Sequence, residues 1–210
     1  ETVDFGGAET VFNNIIKNIA KDMFDVKVVT ERDHELFTDE IKDAASYNCF
    51  IKTERSSIRD LWNKIVIKLS LILPEKYIRA LFIRGKYDVE VAFCEGYSTK
   101  IIGNSGKRSC KKIAWVHTDM IKNPWSERIF GSAEEEKKCY ENFDAIVCVA
   151  ETMKESFIKK YGMAEKVHVL YNPIDFDSII EKSKEKNDFK FGDGMKFILA
   201  GSFVKVKGFE

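Results

Sequence analysis

Three short stretches of this 210-residue chain combine residue types that do chemistry. The first is FGGAET, with Gly6 and Gly7 ahead of Ala8 and Glu9. Adjacent glycines let a backbone turn tightly, and a helix that opens directly after them offers N–H groups to a phosphate or other anion. The spacing is not G-x-G-x-x-G, so there is no dinucleotide fingerprint. A plain strand-to-helix turn accounts for the same residues, with Glu9 complementing the helix dipole.

The second is His117-Thr118-Asp119, a polar tail on the apolar run IAWV. A histidine at such a strand end can position a hydroxyl or stabilise developing charge; a hydrogen-bonded structural histidine is the equal alternative. His34, in a polar loop, and His168, alternating within a strand, read as structural. The third stretch is GSFVKVKGFE, which sets Lys205 and Lys207 beside Gly208. Lysines at a helix start suit a diphosphate, and a solvated lysine loop is the simpler reading.

The elements that must position these residues follow from periodicity. Ala8, Phe12, Ile15, Ile19 and Met23 recur at helical spacing. VKVVTE and YNCFIK read as strands on either side of a polar loop through His34 and Asp39. Ser57 to Ile83 reads as two helices divided at Pro74, which suits a first helical turn. YDVEVAF, KKIAWVH, DAIVCVA and KVHVLYN are short apolar runs, and helical segments alternate with them. The fold class is therefore α/β: a doubly wound parallel sheet with apolar strands covered on both faces. Only ETVDF precedes the glycines, so a central first strand is expected to be largely missing. In NPIDFDSII, Asp175 caps a further helix, and MKFILAG opens a second domain near Met195.

Composition narrows the function classes. Lys+Arg and Asp+Glu number 34 each, so no global field gathers nucleic acid, and no nucleic-acid partner is expected. The five cysteines lie far apart with no C-x-x-C pair, which excludes a zinc ribbon or disulfide framework and suits buried free thiols in a reducing compartment. The longest apolar run, LWNKIVIKLSLIL, is broken by Lys64 and Lys68 and is too short to span a bilayer. Between residues 59 and 86, Arg59, Lys64, Lys68, Lys76, Arg79, Arg84 and Lys86 face only Asp60 and Glu75. With Trp62 interleaved, this segment fits either an anionic membrane surface or, as the favoured reading, two core-packed helices with solvated basic edges.

Taken in order, FGGAE, WVH, FDAIVCVAETMKESFIKKYG, KVHVLYNPID and ILAGSFVKVKGFE resemble the family-4 glycosyltransferases, retaining enzymes built from two Rossmann-like domains. The resemblance implies that Gly6 and Gly7 bring backbone to the donor diphosphate, that His117 faces the transferred sugar or acceptor, and that Lys207, with Lys205, holds the donor phosphates. It implies a nucleotide-sugar donor, a glycan or lipid-linked acceptor, no cofactor and no metal, because cationic side chains and helix N-termini stabilise the departing diphosphate. Residues 1–172 would form the acceptor-side domain, 173–194 a linker with its helix, and 195–210 the start of the donor domain. Ser202 stands where arginine is common, and Ala150 where a capping serine is common. The family's two donor-domain glutamates, eight positions apart, would lie beyond Glu210, so the chain alone is expected to be inactive. A cytoplasmic protein peripheral to the inner membrane face, acting on cell-surface glycan or glycolipid, is the reading that follows. A nucleotide-sugar epimerase or hydrolytic phosphorylase of the same fold and a non-catalytic glycan- or lipid-binding partner are the alternatives.

Overall fold

Runs rich in Val and Ile form parallel ladders, and amphipathic segments between them form the helices that pack against these ladders. The computed structural model describes residues 7–32, 38–52, 56–106, 109–186 and 192–198. Two compact units divide at Ile174 and Asp175.

The first unit opens with α1 (Gly7–Asn18), followed by β1 (Lys27–Arg32), α2 (Thr38–Ala44) and β2 (Ser46–Ile51). β1 and β2 pair in parallel, Val28 beside Tyr47 and Thr30 beside Cys49. Ile16, Val28 and Ile41 are buried together between α1, β1 and α2. The helical hairpin α3 (Ser57–Ile72) and α4 (Glu75–Phe82) follows, with Pro74 at the N-cap of α4 as expected. β3 (Val89–Ala92), β4 (Lys111–Val116), β5 (Ala145–Cys148) and β6 (Val167–Val169) then form a parallel sheet in sequence order. They are connected through α5 (Tyr97–Gly103), α6 (Glu127–Phe130), α7 (Ala133–Glu141) and α8 (Glu151–Tyr161).

The main core lies on one face of that sheet, where Ala114, Val116, Ile146 and Cys148 meet Ile102, Tyr140, Phe143 and Phe157. Gly103 at the end of α5 is what allows α5 and α7 to close. A Cβ there would run into Cys139 Sγ and would lie 2.8 Å from Phe143 Cε2 and 3.0 Å from the Cys139 carbonyl oxygen. The backbone carbonyl cannot yield as a flexible side chain would.

The α/β fold with parallel sheets is as expected: one face of β4 is buried, and the other is half-buried where Trp115 meets Phe93 and, through it, Phe12 of α1, while Val89 and Val91 of β3 are 48% and 46% exposed. Other expectations are corrected. The polar loop through Asp39 contains α2, a helix with Ile41 as its buried apolar contact. α1 ends at Asn18, leaving Met23 exposed, and its buried positions are Val11, Asn13 and Ile16 rather than the row read from periodicity.

The second unit contains α9 (Phe176–Ser183), whose N-cap Asp175 accepts from Ser178 N at 3.0 Å, as expected. Residues 195–198 form no strand, and Met195, Phe197 and Ile198 are exposed. The rest of the expected MKFILAG strand lies outside the described residues.

The missing cap on α8 is present as read: Ala150 occupies the N-cap with no side-chain acceptor. Its backbone (φ −158°, ψ 159°) matches that of Ser132 (φ −161°, ψ 159°), whose hydroxyl accepts from Glu135 N at the start of α7. Ala150→Ser is therefore expected to stabilise the fold by about 1 kcal/mol, read as a higher urea midpoint at unchanged m-value. An unchanged midpoint would contradict the capping account.

Candidate functional site

The candidate site lies at the carboxyl end of β4. Parallel sheets place ligands beyond the carboxyl ends of their strands, because there the chain turns from strand to helix and exposes backbone groups. β3 and β4 pair with Val89 beside Lys111 and Ala92 beside Ala114. Continued past both strands, that offset sets Glu95 level with His117.

Glu95 uses the position fully. Its Oε1 accepts from His117 N at 2.6 Å, from Thr118 N at 2.7 Å and from Thr118 Oγ1 at 2.9 Å. The Glu95 side chain is buried, so these bonds compensate a carboxylate withdrawn from water and fix the first two residues after β4. The turn needs Gly96, whose φ of +84° and ψ of −126° few other residues adopt. Glu95 carried no sequence signal, since only the strand register joins it to His117.

The His117 ring is set by a second contact. Its Nε2 lies 2.8 Å from the Phe93 carbonyl oxygen. A carbonyl only accepts, so Nε2 carries the proton of this bond, and Nδ1 is the ring nitrogen left to face another group. Trp115 is parallel to the ring within 10°, with centroids 6.3 Å apart, and Phe93 packs at 4.9 Å. Phe12 of α1 touches Phe93 at 5.0 Å, so α1 rests on the same aromatic cluster. Trp115 Nε1 is buried without a hydrogen-bond partner among the described residues.

Thr118 and Asp119, read together with His117, serve as structure. Asp119 Oδ1 accepts from Ile121 N and Lys122 N at 3.0 Å each and from Ser156 Oγ of α8. The Ser156 hydroxyl and these N–H groups hold its carboxyl down to about 2. Nearby, Lys160 donates to Met120 O at 2.6 Å, and Glu136 is buried between Ser126 Oγ and the Tyr161 hydroxyl at 2.6 and 2.7 Å. Burial raises the Glu136 carboxyl. These contacts pin the loop after β4 to α8.

Of the sequence-predicted site residues, Gly7 is the first residue of α1 and His117 directly follows β4. A Cβ on Gly7 would meet nothing within 4 Å, so the described fold does not itself demand glycine there. Gly6, Lys205 and Lys207 lie outside the described residues, as does His34, and His168 is exposed on β6. The described cysteines are free, and burial pushes the Cys139 and Cys148 thiols up to about 12. No group of three metal-ligating side chains is gathered among the described residues. A cleft of about 490 Å³ lined by Gly103, Lys112 and Asp144 lies at the amino ends of β4 and β5, away from His117.

The family model described as Glycosyltransferase Family 4 matches residues 5–178. No curated protein sequence matches the chain. Among solved structures, Anabaena HepE in complex with UDP and glucose is similar, with 16% identity and a TM-score of 0.57. The match covers 88% of this chain and 47% of that one, so the chain spans about half the length of the HepE structure. At that identity the likeness shows the fold alone, an α/β arrangement of the Rossmann-like type found in two-domain glycosyltransferases.

Proposed function

The chain belongs to Glycosyltransferase Family 4, and from that premise we propose that it is the acceptor-side domain of a retaining transferase. The donor is a nucleoside-diphosphate sugar and the acceptor a glycan or glycolipid. The observation that carries the reading is the fixed His117 ring at the carboxyl end of β4, with Nε2–H committed to the Phe93 carbonyl and the backbone locked by Glu95. An imidazole ring held this way turns Nδ1 toward a ligand, which suits a sugar hydroxyl. The UDP and glucose in the HepE complex support a nucleotide-sugar donor.

In the proposed reaction the bond from the anomeric carbon to the diphosphate oxygen breaks, and its electron pair leaves with the diphosphate. The acceptor oxygen bonds to the same carbon on the same face. The acceptor proton passes to the departing phosphate oxygen, which retention keeps within reach. The first-turn N–H groups of α1 suit the growing negative charge on the diphosphate, and the proposed chemistry calls for no metal. His117 orients the transferred sugar without exchanging a proton.

The test is release of nucleoside diphosphate by the full protein with and without acceptor. Acceptor-dependent release with matching product is expected. Conversion of the donor sugar without acceptor would identify an epimerase, and absence of turnover with a range of donors would leave a binding protein.

A further inference from the structure

The outward face of α3 is more apolar than its inward one. Val66 is the buried side chain of this helix, and Asn63 ties the inward side to the end of β2 by donating to Lys52 O at 2.9 Å and accepting from Lys52 N at 3.3 Å. On the opposite side Ile58, Leu61, Ile65 and Ile72 are 83%, 60%, 42% and 66% exposed. At 3.6 residues per turn these four fall within an arc of about 60°. Trp62, 54% exposed, borders the stripe on one side. Exposed Lys64 and Lys68, one turn apart, border it on the other. The core-packed reading of this segment is thus corrected for α3, while Arg79 of α4 is withdrawn from the surface by its buried ion pair with Glu90.

We propose that α3 lies in the plane of an anionic lipid surface, with the isoleucine and leucine stripe among the acyl chains and Lys64 and Lys68 on the headgroups. Its 16 residues are about 24 Å long, shorter than the bilayer core of about 30 Å, and no helix among the described residues is long and apolar enough to cross a membrane. In-plane seating accommodates both the length and the lysines. Charge selects lipid as the occupant: Lys64 and Lys68 lie along one border of the stripe, and a tryptophan sits on the other border, where an amphipathic ring meets the interface. Exposed Lys76, Arg84 and Lys86 continue the positive charge along the same hairpin.

The experiment is sedimentation of the full protein with vesicles of phosphatidylcholine alone or with phosphatidylglycerol added. Binding to the anionic vesicles is expected, weakening as salt rises and falling by at least about tenfold in Lys64→Glu/Lys68→Glu. Ile65→Glu, on the exposed face, is expected to abolish binding at unchanged thermal midpoint. No sedimentation with either vesicle, or binding indifferent to the charge reversal, overturns the proposal. Concentration-dependent self-association removed by Ile65→Glu also overturns it, because the face would then belong to a second copy. None of these outcomes depends on transferase activity, so the proposal and the assigned reaction fail separately.

Discussion

Replacing Arg79 with alanine is expected to destabilise the fold by about 3–5 kcal/mol. The Arg79 and Glu90 side chains are 4% and 3% exposed, and the guanidinium donates to Glu90 Oε1 through Nε at 3.0 Å and again through Nη2. Nη2 also reaches the Gly85 carbonyl oxygen at 3.2 Å. Removing the guanidinium leaves a carboxylate on β3 withdrawn from water with only the Cys110 thiol beside it, a weak donor that offsets little of its desolvation. Glu90 Oε2 already lacks a hydrogen-bond partner among the described residues. The double variant Arg79→Met/Glu90→Leu is expected to recover most of the loss, because it removes both charges at similar volume. Urea unfolding of wild type, single and double variants checks this. A single variant within 1 kcal/mol of wild type would mean that the pair is not the buried contact described.

The second large effect is on turnover. His117→Ala in the full protein is expected to lower kcat by about two orders of magnitude with a much smaller change in KM, since an oriented hydrogen bond to the reacting sugar acts mainly in the transition state. Glu95→Ala removes the acceptor shared by His117 N, Thr118 N and Thr118 Oγ1 and so releases the ring indirectly. Because both changes act through one imidazole, the double variant should be little worse than His117→Ala alone. Circular dichroism of each variant separates loss of chemistry from loss of fold. A purely additive double variant, or a KM effect without a kcat effect, would remove His117 from the reacting centre.

What the sequence revealed and what it hid divide along physical lines. Parallel strands are rich in Val and Ile and are flanked by charged helices, so β1 to β6 were legible as runs in the right order, and the polar tail on β4 marked the strand end that carries His117. α2 escaped because a seven-residue helix with one buried apolar contact has no periodicity; Ile16 and Val28 hold it from outside. The α1 face was misread because Asn13 is buried and Met23 is not. Glu95 was invisible because register, a property of two strands together, brings it to His117. The charge count between residues 59 and 86 was correct, yet it could not tell that Arg79 points inward while Lys64 and Lys68 border an exposed apolar stripe.

The measurement closest to the central claim is the anomeric configuration of the first product formed by the full protein, read by proton NMR from an α-linked nucleotide-sugar donor. The account predicts an α-linked product that forms only when acceptor is present. A β-linked product would contradict it, because inversion requires attack from the face opposite the departing diphosphate.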